Sequence, residues 1–137
     1  MKTLKEYINE SLQSRVFVVV KPGFLDLSQD IISRFKEDGW EMERTIIKQL
    51  LPQESRRLYS VHKHEDFYKD LCKYMASGPC RAIIFVNIKE NPHDPFASVK
   101  VIKDEIRDKY KESDMRNVLH SSDSIDAMAK ESSIFFA

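Results

Sequence analysis

Val16-Phe17-Val18-Val19-Val20 is an unbroken run of β-branched and aromatic residues, and Lys21-Pro22-Gly23 follows it directly. Such residues favour strands over helices. A strand that is apolar at every position is buried on both of its faces. The run therefore predicts a strand at the centre of a sheet, and the proline and glycine predict where that strand ends.

Three more segments have strand character. Ala82–Val86 is a second continuous apolar run, Trp40–Leu51 alternates loosely before it turns apolar, and Asn117–His120 is a brief apolar stretch. Between and after the strands, apolar residues recur at helical spacing. The segments predicted as helices are Asp26–Asp38, Pro52–Tyr59, Glu65–Ala76, Ala97–Lys111 and Ser124–Ser133.

The order of these elements predicts an α/β fold of the α+β type. It is a ferredoxin-like βαββαβ sandwich, with a four-stranded, mainly antiparallel sheet and helices packed on one face. Residues 15–137 are predicted to form this domain. Residues 1–14 are predicted to be an amphipathic N-terminal appendage, because apolar residues recur along one helical face: Leu4, Tyr7, Ile8 and Leu12.

The composition narrows the function classes. The chain has 137 residues, with 22 basic and 22 acidic side chains, so no overall positive field favours nucleic acid as a partner. No apolar run approaches membrane-spanning length. Cys72 and Cys80 are too few for a disulfide scaffold, which favours a reducing, cytoplasmic location. With only three glycines, a glycine-rich phosphate loop is excluded, so side chains would have to hold any phosphates.

The residues best suited to catalysis lie in the stretch Arg116-Asn117-Val118-Leu119-His120-Ser121-Ser122-Asp123-Ser124. A histidine at the end of a short strand is braced but reachable, and imidazole is a good nucleophile near neutral pH. A histidine that merely ends a strand is the alternative reading. The run resembles the active-site signature of nucleoside diphosphate kinases, Asn-x-x-His-(Gly or Ala)-Ser-Asp-Ser, with Ser121 in place of the glycine or alanine.

The resemblance covers about residues 15 to 136. Its other parts are Val16 to Pro22, Tyr59, Phe67, Lys73-Tyr74-Met75-x-Ser77-Gly78-Pro79, Ile106-Arg107 with Asp108 and Tyr110, and Glu131. The chain is identified by this resemblance as a divergent nucleoside diphosphate kinase. The first ten residues also resemble the capsid-targeting peptides of large tailed phages, which suggests a phage-encoded member acting in the host cytoplasm or the virion interior.

The resemblance implies ping-pong transfer of a γ-phosphoryl group from a nucleoside triphosphate such as ATP to a diphosphate. The intermediate is a phosphohistidine on His120, and Mg²⁺ is carried by the nucleotide phosphates rather than by a protein metal site. The implied catalytic residues are His120, Lys21, Tyr59, Glu131 and Ser122. The implied nucleotide-binding residues are Lys21, Phe67 (stacked on the base), Leu71, Arg107 and Asn117.

The chain departs from the family between Val86 and Arg107, where it is several residues shorter. A second phosphate-binding arginine and a threonine of the family have no clear counterpart there, and Lys100 or Lys103 are candidates to replace the charge. The family's Lys-Pro-Gly-Thr loop, which helps to build trimer contacts, is also absent. A homo-oligomer is still expected, with a dimer through the second strand favoured over a hexamer.

Two other functions stay open at the level of sequence. One is a non-catalytic relative kept for binding or assembly. The other is an unrelated ferredoxin-like module that binds nucleic acid. The second is disfavoured because the strand at Ala82–Val86 lacks alternating aromatic and basic residues.

Overall fold

The computed structural model describes residues 14–88 and 94–136. Within them, one sheet has the strand order β2-β3-β1-β4, and all neighbouring strands are antiparallel. The strands are β1 Arg15–Val20, β2 Trp40–Lys48, β3 Cys80–Asn87 and β4 Leu119–Ser121. The helices are α1 Ser28–Glu37, α2 Pro52–Leu58, α3 Tyr68–Met75, α4 Pro95–Tyr110 and α5 Ile125–Phe135. This arrangement confirms the ferredoxin-like prediction.

Strand β1 lies at the centre of the sheet, between β3 and β4. Its side chains alternate between two separate cores, because successive residues of a strand point to opposite faces. Val16, Val18 and Val20 belong to one core, and Phe17 and Val19 belong to the other. All five are buried, as the apolar run predicts.

The expectation that helices cover one face of the sheet is wrong. Helices α1 and α4 pack on the face of Val18, through residues such as Phe35 and Ile102. Helices α2, α3 and α5 supply the core on the face of Phe17, with Met75 and Phe135 among its members. Both faces need cover because the central strand is apolar throughout.

Strand β2 forms an edge of the sheet and stops at Lys48, three residues before the predicted end at Leu51. Leu51 instead has the extended backbone of the residue that precedes α2. Helix α3 begins at Tyr68 rather than at Glu65. Tight turns occupy that interval, with the Glu65 amide donating to His62 and the Tyr68 amide donating to Glu65.

Strand β4 begins at Leu119, two residues later than predicted. Val118 has a φ of 79°, and the Leu119 amide donates to the Asn117 carbonyl at 3.0 Å. This is a γ-turn with positive φ, which is rare and strained for a β-branched residue. Val118 is fully buried, and its carbonyl accepts from the Lys21 amide at 2.8 Å, so the surroundings hold the turn in place.

The predicted appendage, residues 1–14, lies outside the described residues except for Ser14. Its boundary with the domain at residue 15 therefore stays a prediction. Among the helices that the structure describes, none has the length and apolar character needed to cross a membrane.

Candidate active site

A cleft of about 570 Å³ opens where α3, α4 and β4 approach one another. Seven of the nine predicted site residues line it: Lys21, Tyr59, Phe67, Leu71, Arg107, Asn117 and His120. The other two, Ser122 and Glu131, are buried and bonded to one another, and Glu131 also bonds His120. The fold thus brings together residues that are up to 110 positions apart in the chain.

His120 is held at the sheet edge of the cleft by strand β4, where it pairs with Val19 of the central strand. Its ring is one-fifth exposed, and Nε2 is hydrogen-bonded to Oε1 of Glu131. Ser122 Oγ donates to Oε2 of the same carboxylate at 2.8 Å. An ionised carboxylate only accepts, so this contact favours the neutral tautomer of His120 that has its proton on Nε2 and a lone pair on Nδ1.

Tyr59 lies edge-on to the His120 ring, with the ring centroids 5.4 Å apart and the planes at 72°. Its hydroxyl is buried and has no hydrogen-bond partner among the described residues. Burial raises the pKa of Tyr59, so the hydroxyl stays protonated. Tyr59 lines the cleft, and its hydroxyl is a donor for which the described part of the chain provides no acceptor.

Lys21 follows the central strand and reaches the floor of the cleft, where it is 4% exposed. Its Nζ donates to Asn117 Oδ1 at 2.7 Å and to the Met115 carbonyl at 3.2 Å. Burial, followed by repulsion from Arg107 and Lys103, lowers the pKa of Lys21 to about 7.

Asn117 has both ends of its side chain engaged. Its oxygen accepts from Lys21, and its Nδ2 donates to the Asp114 carbonyl at 2.7 Å. In the free protein this amide therefore positions Lys21. Its predicted contact with a ribose hydroxyl stays a prediction.

Arg107 braces the γ-turn that precedes His120. Its Nε donates to the Asn117 carbonyl at 3.3 Å, and Nη2 donates to the Leu119 carbonyl at 2.7 Å. Burial lowers the pKa of Arg107, and a guanidinium remains charged at neutral pH all the same. The side chain thus fixes the backbone beside His120 and presents a positive charge to the cleft.

The mouth of the cleft is aromatic. Phe67 is 44% exposed, and its ring centroid lies 5.5 Å from that of His62. Leu71 lies one turn further along the chain and is buried. An exposed phenyl ring at a cleft mouth is a surface on which a base can stack.

The chain matches the family model described as "Nucleoside diphosphate kinase" over residues 14–137. The chain belongs to the nucleoside diphosphate kinase family. It is 31% identical over 130 residues to the nucleoside diphosphate kinase of Hyperthermus butylicus, covering 90% of this chain and 92% of that protein. It is 33% identical over 129 residues to that of Ignicoccus hospitalis, covering 89% of this chain and 88% of that protein.

Solved structures of the family have the same fold. The Aquifex aeolicus nucleoside diphosphate kinase aligns with a TM-score of 0.73 and 24% identity, covering 90% of this chain and 95% of that one. The Encephalitozoon cuniculi nucleoside diphosphate kinase aligns with a TM-score of 0.79 and 22% identity, covering 89% and 88%. Membership of this family replaces the alternative of an unrelated nucleic-acid module.

Several side chains that line the cleft of this family member were not predicted as site residues. They are His62, Asp114, Met115, Ser121 and Asp123, and the cleft is also lined by Lys103, one of the two lysines considered for the missing charge. Lys103 precedes Arg107 by one helical turn and Lys100 precedes it by two, so both share its face of α4 and helical spacing alone does not separate the two lysines. Lys100, in contrast, does not line the cleft. Its side chain is 66% exposed and is ion-paired with Asp104 at 2.8 Å. Of the two lysines considered as replacements for the missing arginine, only Lys103 reaches the cleft.

Nucleoside diphosphate kinases use Mg²⁺. Within residues 14–88 and 94–136, no three His, Cys, Asp or Glu side chains are grouped so that they could hold a metal ion. The carboxylates of Asp114 and Asp123 line the cleft beside three cationic side chains. Carboxylate oxygens are among the ligands that Mg²⁺ takes.

Proposed function

We propose that the chain is an active nucleoside diphosphate kinase that transfers the γ-phosphoryl group of a nucleoside triphosphate, such as ATP, to a nucleoside diphosphate. Membership of the family makes it a phosphotransferase. The observation that carries the catalytic proposal is the His120 ring. Its Nε2 is bonded to Glu131, which leaves Nδ1 with a lone pair beside a cationic cleft.

In the proposed mechanism, the Nδ1 lone pair of His120 attacks the γ-phosphorus. The N–P bond forms while the bond from the γ-phosphorus to the β,γ-bridging oxygen breaks, and the diphosphate leaves with that electron pair. After exchange of nucleotides, a terminal oxygen of the second diphosphate attacks the same phosphorus and breaks the N–P bond. Such transfers depend mainly on positioning and on fixed positive charge.

The remaining residues have separate proposed roles. Lys21 and Arg107 stabilise negative charge on the phosphates. The unpaired hydroxyl of Tyr59 donates to an oxygen of the transferring group. Phe67 and Leu71 hold the base, and Asn117 bonds the sugar once Lys21 turns to the phosphates.

The Glu131 and Ser122 pair acts through His120 rather than on the substrate. Glu131 stabilises the tautomer that leaves Nδ1 free, and Ser122 holds the carboxylate in place. Mg²⁺ enters as part of the nucleotide substrate, where it neutralises phosphate charge.

The test is incubation of the protein with γ-labelled ATP and Mg²⁺. We expect an acid-labile, alkali-stable label on the wild type that is transferred to any added diphosphate. H120A should take up no label. H64A is the matched control, because His64 is exposed and is not among the residues that line the cleft, and it should label at nearly the wild-type rate. A wild type that binds ADP but takes up no label would establish the non-catalytic alternative instead.

We also propose a homo-oligomer, with a dimer formed through β2. This strand is an edge of the sheet and carries exposed apolar side chains: Met42, Ile46 and Ile47. Unpaired edges of this kind favour pairing with another chain. Light scattering after gel filtration should report a dimer for the wild type and a monomer for I47K; a trimer-based hexamer that survives I47K would contradict the proposal.

The proposed location is the cytoplasm, with the virion interior as the alternative for a phage-encoded protein. The free, buried thiols of Cys72 and Cys80 are consistent with a reducing compartment.

A further inference from the structure

Lys103 is a buried cation to which the proposed mechanism assigns no role. It lies on α4, is 8% exposed and lines the same cleft as His120. Among the described residues its ammonium forms neither a hydrogen bond nor an ion pair. Burial of an ammonium group without an acceptor is costly, so such a group usually has a partner.

The surroundings of Lys103 make that cost larger. Lys21 and Arg107 lie close enough to repel one another electrostatically, and Arg107 also repels Lys103. Asp123 and Asp104 each attract Lys103 less than Arg107 repels it, neither forms an ion pair with it, and Lys100 repels it. Burial and the Arg107 charge lower the pKa of Lys103. The cleft therefore holds three cations that have no paired carboxylate within the described residues.

The three cations differ in how their donors are used. Lys21 and Arg107 donate to carbonyl and amide oxygens, which fixes their positions. Lys103 has all three of its N–H donors available on the cleft wall. A phosphate chain carries several negative oxygens and accepts multiple donors at once. It would satisfy the Lys103 ammonium and remove the repulsion within the cluster.

We propose that Lys103 is a phosphate ligand of this cleft and binds the di- or triphosphate of the nucleotide alongside Lys21 and Arg107. The proposal rests on the proposed function for the identity of the ligand. It assigns the role to Lys103 and not to Lys100, which is exposed and is not among the residues that line the cleft. The other explanation is that Lys103 only fills the wall of the cleft with its aliphatic stem.

The test compares the binding of ADP, inorganic pyrophosphate and adenosine to the wild type, K103M and K100M by calorimetry. Methionine keeps an unbranched apolar chain of nearly the length of lysine and removes the charge. We expect K103M to weaken ADP and pyrophosphate by about tenfold, as is typical for loss of one charged hydrogen bond. Adenosine should bind K103M as it binds the wild type. K100M should leave all three unchanged, and K103R should recover part of the ADP affinity.

Equal weakening of ADP and adenosine by K103M would indicate a packing role, and unchanged ADP binding would also overturn the proposal. K103Q serves as a second variant if K103M does not fold. Failure of the proposed function is separate, because the wild type would then bind ADP without forming a labelled phosphoenzyme.

Discussion

The Glu131 carboxylate bonds the His120 ring through Nε2, while its second oxygen accepts from Ser122. One buried side chain thus fixes both the tautomer and the orientation of the imidazole. The arrangement joins the end of β4 to the last helix, eleven residues further along the chain.

This relationship predicts the effect of E131Q. A glutamine can donate its amide N–H to Nε2, which would move the ring proton to Nδ1 and block attack. We expect the rate of phosphoenzyme formation to fall on the order of 100-fold, with nucleotide affinity nearly unchanged. Single-turnover labelling measures the rate. E112Q, in an exposed ion pair with Arg116, is the control; a normal labelling rate in E131Q would show that the carboxylate is not needed for attack.

The environment of the Tyr59 hydroxyl predicts that Y59F lowers activity without lowering folding stability. Its buried hydroxyl has no partner among the described residues, so Y59F removes an unsatisfied donor. Folding stability should stay the same or rise by about 1 kcal/mol, while phosphoenzyme formation slows about tenfold. Thermal denaturation and labelling measure the two effects. Y74F is the matched control, because the Tyr74 hydroxyl donates to the Pro22 carbonyl and its loss should destabilise the fold.

Lys21 predicts proton uptake on nucleotide binding. In the free protein its pKa is lowered to about 7, so the amine is mostly neutral above that pH and charged below it. A bound phosphate favours the charged form. ADP binding should therefore take up close to one proton at roughly pH 8 to 9, and little at about pH 6. Calorimetry in two buffers of different ionisation enthalpy measures the uptake.

K21M should remove most of this uptake, and K100M should leave it intact. An uptake in K21M equal to that of the wild type would assign the proton to another group.

The lowered pKa of Lys21 also predicts how folding stability depends on pH. The ordinary pKa of 10.5 applies to Lys21 in the unfolded chain, and the folded value is about 7. Between these two pKa values the unfolded state binds more protons than the folded state, so the free energy of unfolding rises with pH. The buried charge on Lys21 destabilises the folded wild type at low pH, and that loss is recovered as the amine becomes neutral. The stability of wild type relative to K21M should therefore increase from about pH 7 to pH 10. Urea denaturation across this range checks the slope, and a negative slope would contradict the assignment.

Phe67 predicts a loss of affinity that does not depend on the base. Stacking accepts any flat base and contributes about 1–3 kcal/mol, so F67A should weaken ADP, GDP and CDP by similar factors of about tenfold. Competition binding gives the three constants. V61A is the control because Val61 is 82% exposed and is not among the residues lining the cleft. A loss confined to one base would argue for a specific contact in place of stacking.

Much of the fold was predictable because the information is local. The apolar run at Val16–Val20 predicts a central, doubly covered strand, and that is where β1 lies. The prediction that helices cover one face of the sheet was wrong, although a strand that is apolar at every position already indicated cover on both faces. The late start of β4 was not predictable, since nothing in Asn117-Val118-Leu119 marks Val118 for a positive φ.

The site was predictable to a similar degree. The signature around His120 and the spacing to Glu131 predicted the imidazole and its partner. In the structure Glu131 is hydrogen-bonded to both His120 and Ser122. Lys103 was only one of two candidates, because its sequence neighbourhood is rich in charges on both faces of the helix. Its position in the cleft depends on how α4 rotates against the sheet.

By itself, the sequence determined the order of strands and helices, the apolar centre of the sheet and the candidate nucleophile, because each depends on residues close together in the chain. The tertiary structure alone decided which distant side chains share the cleft. It buried Lys21 and Lys103 and half-buried Arg107 near one another, with no ion-paired carboxylate for any of them among the described residues. Repulsion among charges in a poorly solvated space depends on their separation in three dimensions, which the spacing of residues in a chain does not specify.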